Sequence, residues 1–236
     1  MYEFRPIGQH YDRGLGAIAE AFKESGDRLV APIQDKKYFY SNLPVCYLYR
    51  HAVELFLKSI IFILHRRLSI SWEMGSDEMC PAIRIAGRVA RLEHTHSITL
   101  LYKYMREIID ARREELAAIG PSDWNSFPSE MDSWIQIIEA ADARGTFFRY
   151  PSFQEQETDL RKSEFREMSA TDAFAQATAE GRFAKVFIEE NTKDSTVRIY
   201  AFTGDELEEV RAALSSTAEF LSLAHFAARM ELSNGQ

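Results

Sequence analysis

A mostly α-helical fold, a bundle of long helices with a small β-hairpin set before the last one, is what this sequence predicts, and three observations carry it. Residues 48–64 form a strongly apolar stretch of helical length. Apolar stripes at helical spacing recur over 97–119, where Leu101, Tyr104, Met105, Ile108, Arg112, Leu116 and Ile119 trace a mostly apolar one, and over 207–228, through Leu207, Val210, Leu214, Leu221 and Ala228. Two alternating runs, 185–189 and 196–202, flank the polar stretch 191–195 and read as a β-hairpin spanning 182–203.

Taken in order, the first helix is expected over about 12–25, stopped at Gly26, with Pro32 breaking the pattern beyond it. The second runs over 44–67, with His65, Arg66 and Arg67 placed where positive charge favours a helix C-terminus. Gly75, Ser76 and Asp77 mark a loop or short hairpin, part of a variable connection over 68–96. The helix over 97–119 is stopped by Gly120 and Pro121, and a shorter one carrying Trp134, Ile135 and Ile138 ends before Asp142. Thr203 and Glu206 have the capping-box spacing and open the last helix, to about Met230. An isolated two-stranded hairpin is marginal, so this one is expected to lie on the helices or on another chain.

The chain has 236 residues, 46% of them hydrophobic and 12% aromatic, which is enough for one sizeable core and describes a single folded domain over 1–236. A net charge of -8 argues against a surface built to coat duplex nucleic acid. A local basic patch stands out between residues 81 and 100, where Arg84, Arg88 and Arg91 face one acid, Glu93, with His94 and His96 beside them. The alternative for that patch is a solvated helix face or loop. Two cysteines, Cys46 and Cys80, imply neither a disulfide framework nor a cysteine metal site, and fit a reducing cytoplasm. No apolar run is long enough to span a bilayer, so no membrane is expected as a partner.

Chemistry concentrates on the second helix. Arg50, Glu54 and Lys58 fall at i, i+4 and i+8 on one helical face, and their neighbours are nearly all apolar. Such charges must be paired, reach water at a rim, or serve a site. If exposed, the ladder is worth only about 0.3 to 0.5 kcal/mol per step. His94 and His96 are too few to hold a metal, and neither a phosphate-binding glycine loop nor a nucleophile elbow is present, so no metal and no cofactor are expected. Asp142 with Arg144 and Arg149 makes a charged aromatic loop that either locks onto the bundle or contacts phosphate. The aromatic run Tyr38, Phe39, Tyr40 reads as core packing.

The order of these helices, with Tyr49-Arg50-His51-Ala52-Val53-Glu54-Leu55-Phe56-Leu57-Lys58 in one and Thr95-His96-Ser97-Ile98 opening the next, resembles the HEPN (higher eukaryotes and prokaryotes nucleotide-binding) superfamily. Phe148-Arg149-Tyr150-Pro151 looks like a further segment seen in some bacterial members. The resemblance implies an all-α bundle, a homodimer, RNA or a nucleotide as ligand, and a role in RNA metabolism, stress response, toxin-antitoxin pairs or phage defence. The superfamily's nuclease signature is an Arg, four to six residues, then His near the last core helix. Here His225 precedes Arg229, the reverse order, whereas Arg91 and His96 match the spacing at a different place.

In the enzyme reading the chain is a metal-independent endoribonuclease: His96 moves protons, Arg91 or Arg50 steadies phosphate charge, and Glu54, Lys58 and Arg149 complete the binding site. At the opening of its helix, His96 has a structural alternative, a hydrogen bond to the helix start or to a neighbour. The alternative for the whole chain is a catalytically inactive helical binding or regulatory module, or a scaffold whose hairpin adds to a partner protein's sheet.

Overall fold

The computed structural model describes residues 6–34, 42–73, 76–150, 159–169, 171–172, 175, 186–191, 196–202 and 207–235, without the side chains of 31–34 and 186–197. The chain is mostly helical. Its helices are α1 (Leu15–Gln34), α2 (Asn42–Arg67), α3 (Ile98–Ala111), α4 (Arg113–Ile119), α5 (Met131–Asp142) and α6 (Glu208–Ala227), the last continued by a π-helical turn over Ala228–Leu232. Helix α2 sits in the middle, packed by α1, α3 and α6, while α5 packs on α6 and α3. Of its 26 residues, 18 are buried, so the helix presents apolar contacts on nearly every side and any charge on it lies in the core.

Helix α1 starts later and ends later than the sequence pattern predicts. Asp12 precedes it rather than opening it: its carboxylate accepts the backbone N–H of Gly14 at 2.9 Å and of Gly16 at 2.6 Å, which fixes the first turn. The helix then runs through Gly26 and Pro32. Gly26 is a packing glycine instead of a stop, because a Cβ there would sit 3.0 Å from the Tyr49 ring of α2. Beside it the Tyr49 hydroxyl donates to Asp27 at 2.7 Å.

At the other end of α2, His65 departs from the expected role. Its ring stacks on Trp72 at 4.0 Å and lies 2.8 Å from the Tyr104 hydroxyl, and burial pushes the imidazole down to about 4. It is therefore neutral at pH 7, and only Arg66 and Arg67 supply positive charge to the helix end.

The helix expected over 97–119 is two helices. Arg112, at φ -116° and ψ 22°, interrupts it, so α3 and α4 are separate segments. The Ser97 hydroxyl caps α3 by accepting from the Leu100 N–H. Of the expected stripe, Leu101, Met105, Ile108 and Leu116 are buried, Tyr104 and Ile119 are half-buried, and Arg112 is exposed at the break.

The variable connection contains a β-hairpin, which lies beyond the stretch around 75–77 where the sequence offered a loop or short hairpin and within the basic patch, whose alternative was a solvated helix face or loop. Strands β1 (Ala82–Ile85) and β2 (Arg88–Arg91) pair antiparallel around Ala86 and Gly87, both at positive φ, as a two-residue primed turn requires. The predicted hairpin before the last helix is likewise larger than a hairpin. Strands β4 (Val186–Asn191) and β5 (Thr196–Phe202) pair as expected, and β3 (Phe165–Met168) adds to the other edge of β5, giving the order β3-β5-β4. Tyr38, Phe39, Tyr40, Pro151 and the capping-box pair Thr203 and Glu206 lie outside the described residues. Among the described residues no helix is long and apolar enough to cross a membrane.

Close approach of α1 to α6 depends on Gly16, where an added Cβ would meet the His225 ring nitrogen at 2.0 Å. We predict that Gly16→Ala lowers stability by about 1 to 3 kcal/mol despite the better helix propensity of alanine. Gly8→Ala, where nothing lies within 4 Å, leaves the denaturant midpoint within error of the parent.

Candidate functional site

The ladder Arg50, Glu54, Lys58 lies inside the bundle, and Glu54 is paired to both cations. Arg50 Nη1 donates to Glu54 Oε2 at 2.7 Å, and Lys58 Nζ donates to Oε1 at 2.7 Å. All three residues are 3 to 4% exposed, which places the pairs far from the solvent-screened regime of a surface ladder. Burial opposes ionisation of Glu54, but the charges of Lys58 and Arg50 and the bonds from Lys58 and His96 outweigh it, so the carboxyl is held below its usual range.

Each cation reaches beyond its own helix. Arg50 Nη2 donates to the His96 carbonyl at 2.6 Å, and its Nε forms an ion pair with Asp142 Oδ2 at 3.0 Å. Lys58 Nζ also donates to the Glu93 carbonyl at 3.2 Å. Asp142, at the end of α5, accepts the N–H groups of Thr146 and Phe147 through Oδ1 at 2.8 and 3.0 Å. Two buried cations and two buried anions thus balance. They join α2 to the segment before α3 and to the loop after α5. Gly145, at φ 74°, is needed where that loop passes Arg50, since a Cβ there would lie 2.9 Å from Nη2.

His96 is the outward member of the cluster. Its Nδ1 lies 3.0 Å from Glu54 Oε1 while 46% of its side chain is exposed. A carboxylate on one ring nitrogen orients the imidazole and leaves Nε2 for exchange with solvent or substrate. The helix start is capped by Ser97, so His96 is not engaged in capping.

The remaining sequence candidates are placed apart from this core. Arg91 is exposed on β2, and its guanidinium is 3.5 Å from Glu93. The four-residue spacing from Arg91 to His96 therefore brings no guanidinium onto the imidazole among the hydrogen bonds and ion pairs of the described residues. Arg50 is close to His96 but is held by two carboxylates and a carbonyl, and Lys58 by a carboxylate and a carbonyl, so both act from within. Arg149 is exposed on the loop after Asp142 and, like Arg144, makes no ion pair among the described residues. His225 is buried 3.6 Å from Asp12, whose carboxylate also accepts the Ser59 hydroxyl at 2.5 Å, so it ties α6 to α1 and α2. That second cluster carries no signal in local spacing, since its members are 47 or more residues apart.

Among the described residues no three His, Cys, Asp or Glu side chains gather as a metal-ligand set. A cleft of about 750 Å³ between α3 and α5 is lined by Tyr102, Arg106, Asp132 and Glu139, among others, and contains none of the candidates. Comparison with protein-family models, with curated proteins and with solved structures finds no match to this chain.

Because removing Glu54 leaves two buried cations short of an anion, Glu54→Gln is expected to destabilise by about 3 to 5 kcal/mol at pH 7. The sign of its pH dependence follows from a folded value below the unfolded one. The stability Glu54 supplies is fully present above about 4.3 and is lost as pH falls through the lower folded value. Urea midpoints for parent and variant should therefore converge as the pH is lowered below 4.

Proposed function

We propose that this chain is a HEPN-like helical protein acting on RNA, in RNA metabolism, stress response or phage defence, with His96 as the proton-transfer group of a metal-independent ribonuclease. The observation that carries the reading is the Glu54–His96 pair: a buried, ionised carboxylate holds one imidazole nitrogen and presents the ring at the surface. Such a ring is suited to accept the proton of a ribose 2′-hydroxyl as that oxygen attacks phosphorus. As imidazolium it returns the proton to the departing 5′-oxygen, so a 2′,3′-cyclic phosphate and a 5′-hydroxyl result. Arg91 is the cation best suited to the phosphorane charge, being exposed and only loosely paired. Arg50 and Lys58 serve as positioning residues through Glu54.

A second reading is supported by the same network. All of its described contacts run inward, from Arg50 and Lys58 to carboxylates and carbonyls, which is also how a catalytically silent binding module or a partner-dependent scaffold would lock its helices.

A homodimer belongs to the first reading. Leu223, Phe226 and Met230, at i, i+3 and i+7 along the end of α6, are 50 to 62% exposed and form an apolar face of the kind that marks an interface. Light scattering should give twice the 27.2 kDa of one chain, and Phe226→Glu should give a folded species of that single mass.

For the activity, a single-stranded RNA oligonucleotide is expected to yield cyclic-phosphate ends in the presence of a chelator. His96→Ala should slow cleavage by about 100-fold or more without shifting the melting temperature by more than a few degrees. RNA left intact by folded protein would favour the silent module. Cleavage undiminished in His96→Ala would remove the assignment.

A further inference from the structure

The start of α2 and the loop after α5 enclose a cleft of about 500 Å³ lined by Leu43, Pro44, Tyr47, Phe148, Arg149 and Tyr150. That size falls within the range of small-molecule sites. Its lining is of three kinds: the aliphatic Leu43 and Pro44, the aromatic rings of Tyr47, Phe148 and Tyr150, and the guanidinium of Arg149.

We infer that this cleft is a nucleobase subsite, in which a base stacks against Tyr47 and Tyr150 and its phosphate meets Arg149. The inference rests on the RNA-directed reading above and names a place for the strand outside the reacting group.

Three features of the geometry select that ligand. The first is charge. Arg149 is exposed without an ion pair among the described residues, in a chain of net charge -8, so the cleft is a locally positive exception. A purely apolar peptide laid here would strip water from that guanidinium without replacing it, whereas a phosphate gives a charge-assisted bond. A simple anion would leave the rings unused.

The second feature is that the platform is already built. Asp142 holds the Thr146 and Phe147 N–H groups, Phe147 is buried and meets Phe148 edge to face at 5.0 Å, and Lys162 Nζ donates to the Tyr150 carbonyl at 2.8 Å. Opposite, Tyr47 lies parallel to His51, with centroids 6.0 Å apart and planes at 3°. Burial lowers the His51 imidazole first, Glu54 opposes that, and Arg149 adds to it, so the Arg149 charge reaches the α2 wall of the cleft. A loop whose backbone is held in this way loses little freedom when a base is placed against its side chains.

The third feature is the connection to His96. Arg50 holds the His96 carbonyl through one nitrogen and Asp142, the anchor of the cleft loop, through another. The exposed imidazole and the aromatic loop therefore hang from a single buried guanidinium, and a strand seated in the cleft is kept in register with the reacting histidine.

The test is equilibrium binding of a labelled six-nucleotide oligodeoxyadenylate, read by fluorescence anisotropy. Lacking the 2′-hydroxyl, it cannot be cleaved by the proposed chemistry, so binding is read apart from activity. The folded parent is expected to bind. Arg149→Gln should weaken binding about 10-fold and reduce the salt dependence by about one phosphate contact, and Tyr150→Ala should weaken it by a similar factor. Arg144→Gln, on the same loop but outside the cleft lining, should bind as the parent does.

Competition by adenosine 5′-phosphate would show that the cleft takes a free nucleotide as well as one within a strand. Its failure to compete, with the oligomer still bound, would assign the cleft to strands. Absence of binding by folded parent protein, or equal losses in Arg149→Gln and Arg144→Gln, would overturn the inference. A protein that binds but does not cleave loses the ribonuclease reading and keeps the subsite; one that cleaves but does not bind here keeps the first and loses the second.

Discussion

Everything distinctive in this molecule depends on placing one carboxylate, Glu54, in the middle of a helix that is buried on nearly every side. A charge there would cost several kcal/mol if left alone. Arg50 and Lys58, one turn to either side, supply 2.7 Å pairs to its two oxygens. Those cations then need further partners, and they find them on other segments: the carbonyls of Glu93 and His96 as acceptors, and the carboxylate of Asp142 as an ion pair. The need to satisfy charges within α2 is thereby converted into cross-links that fix the segment before α3 and the loop after α5.

The consequence for function is a division between groups that hold and groups that face solvent. Arg50, Lys58 and Asp142 are consumed by the lock. His96 lies at its rim, while Arg91, Arg149 and Tyr150 are exposed and Tyr47 is half-buried apart from it. Helix α1 and α6 are joined by a separate device, the buried Asp12 carboxylate with Ser59, Gly16 and His225. Burial raises its pKa, but the His225 imidazole 3.6 Å away and the bonds from Ser59 and Gly16 more than reverse that and hold it well below the usual carboxylate range. Breaking one device need not disturb the chemistry of the other.

Much of the frame was legible in the sequence because it is local. The length and apolarity of α2, the i, i+4, i+8 ladder and the apolar face of α6 are periodic signals, and burial followed them. What escaped is long-range or sterically exact. Gly26 looks like a helix stop until the Tyr49 ring is seen against it, and the break at Arg112 has no proline or glycine to announce it. Strand β3 is only four residues long and was invisible without its partner β5. In the site, the pairing of Arg50 with Asp142 joins residues from α2 and the end of α5, and no spacing rule reaches that far. The Arg91 and His96 spacing, by contrast, was visible in the sequence but does not bring the two side chains into a mutual hydrogen bond.

The central claim is that Glu54 orients His96 by holding Nδ1. The ring nitrogen chemical shifts of His96, measured by NMR on uniformly nitrogen-15-labelled protein at a pH where the ring is neutral, test it most directly. The account predicts the tautomer with the proton on Nδ1 and a bare Nε2, with the preference lost in Glu54→Gln. A neutral ring protonated on Nε2, or one averaging between tautomers as free histidine does, would contradict it.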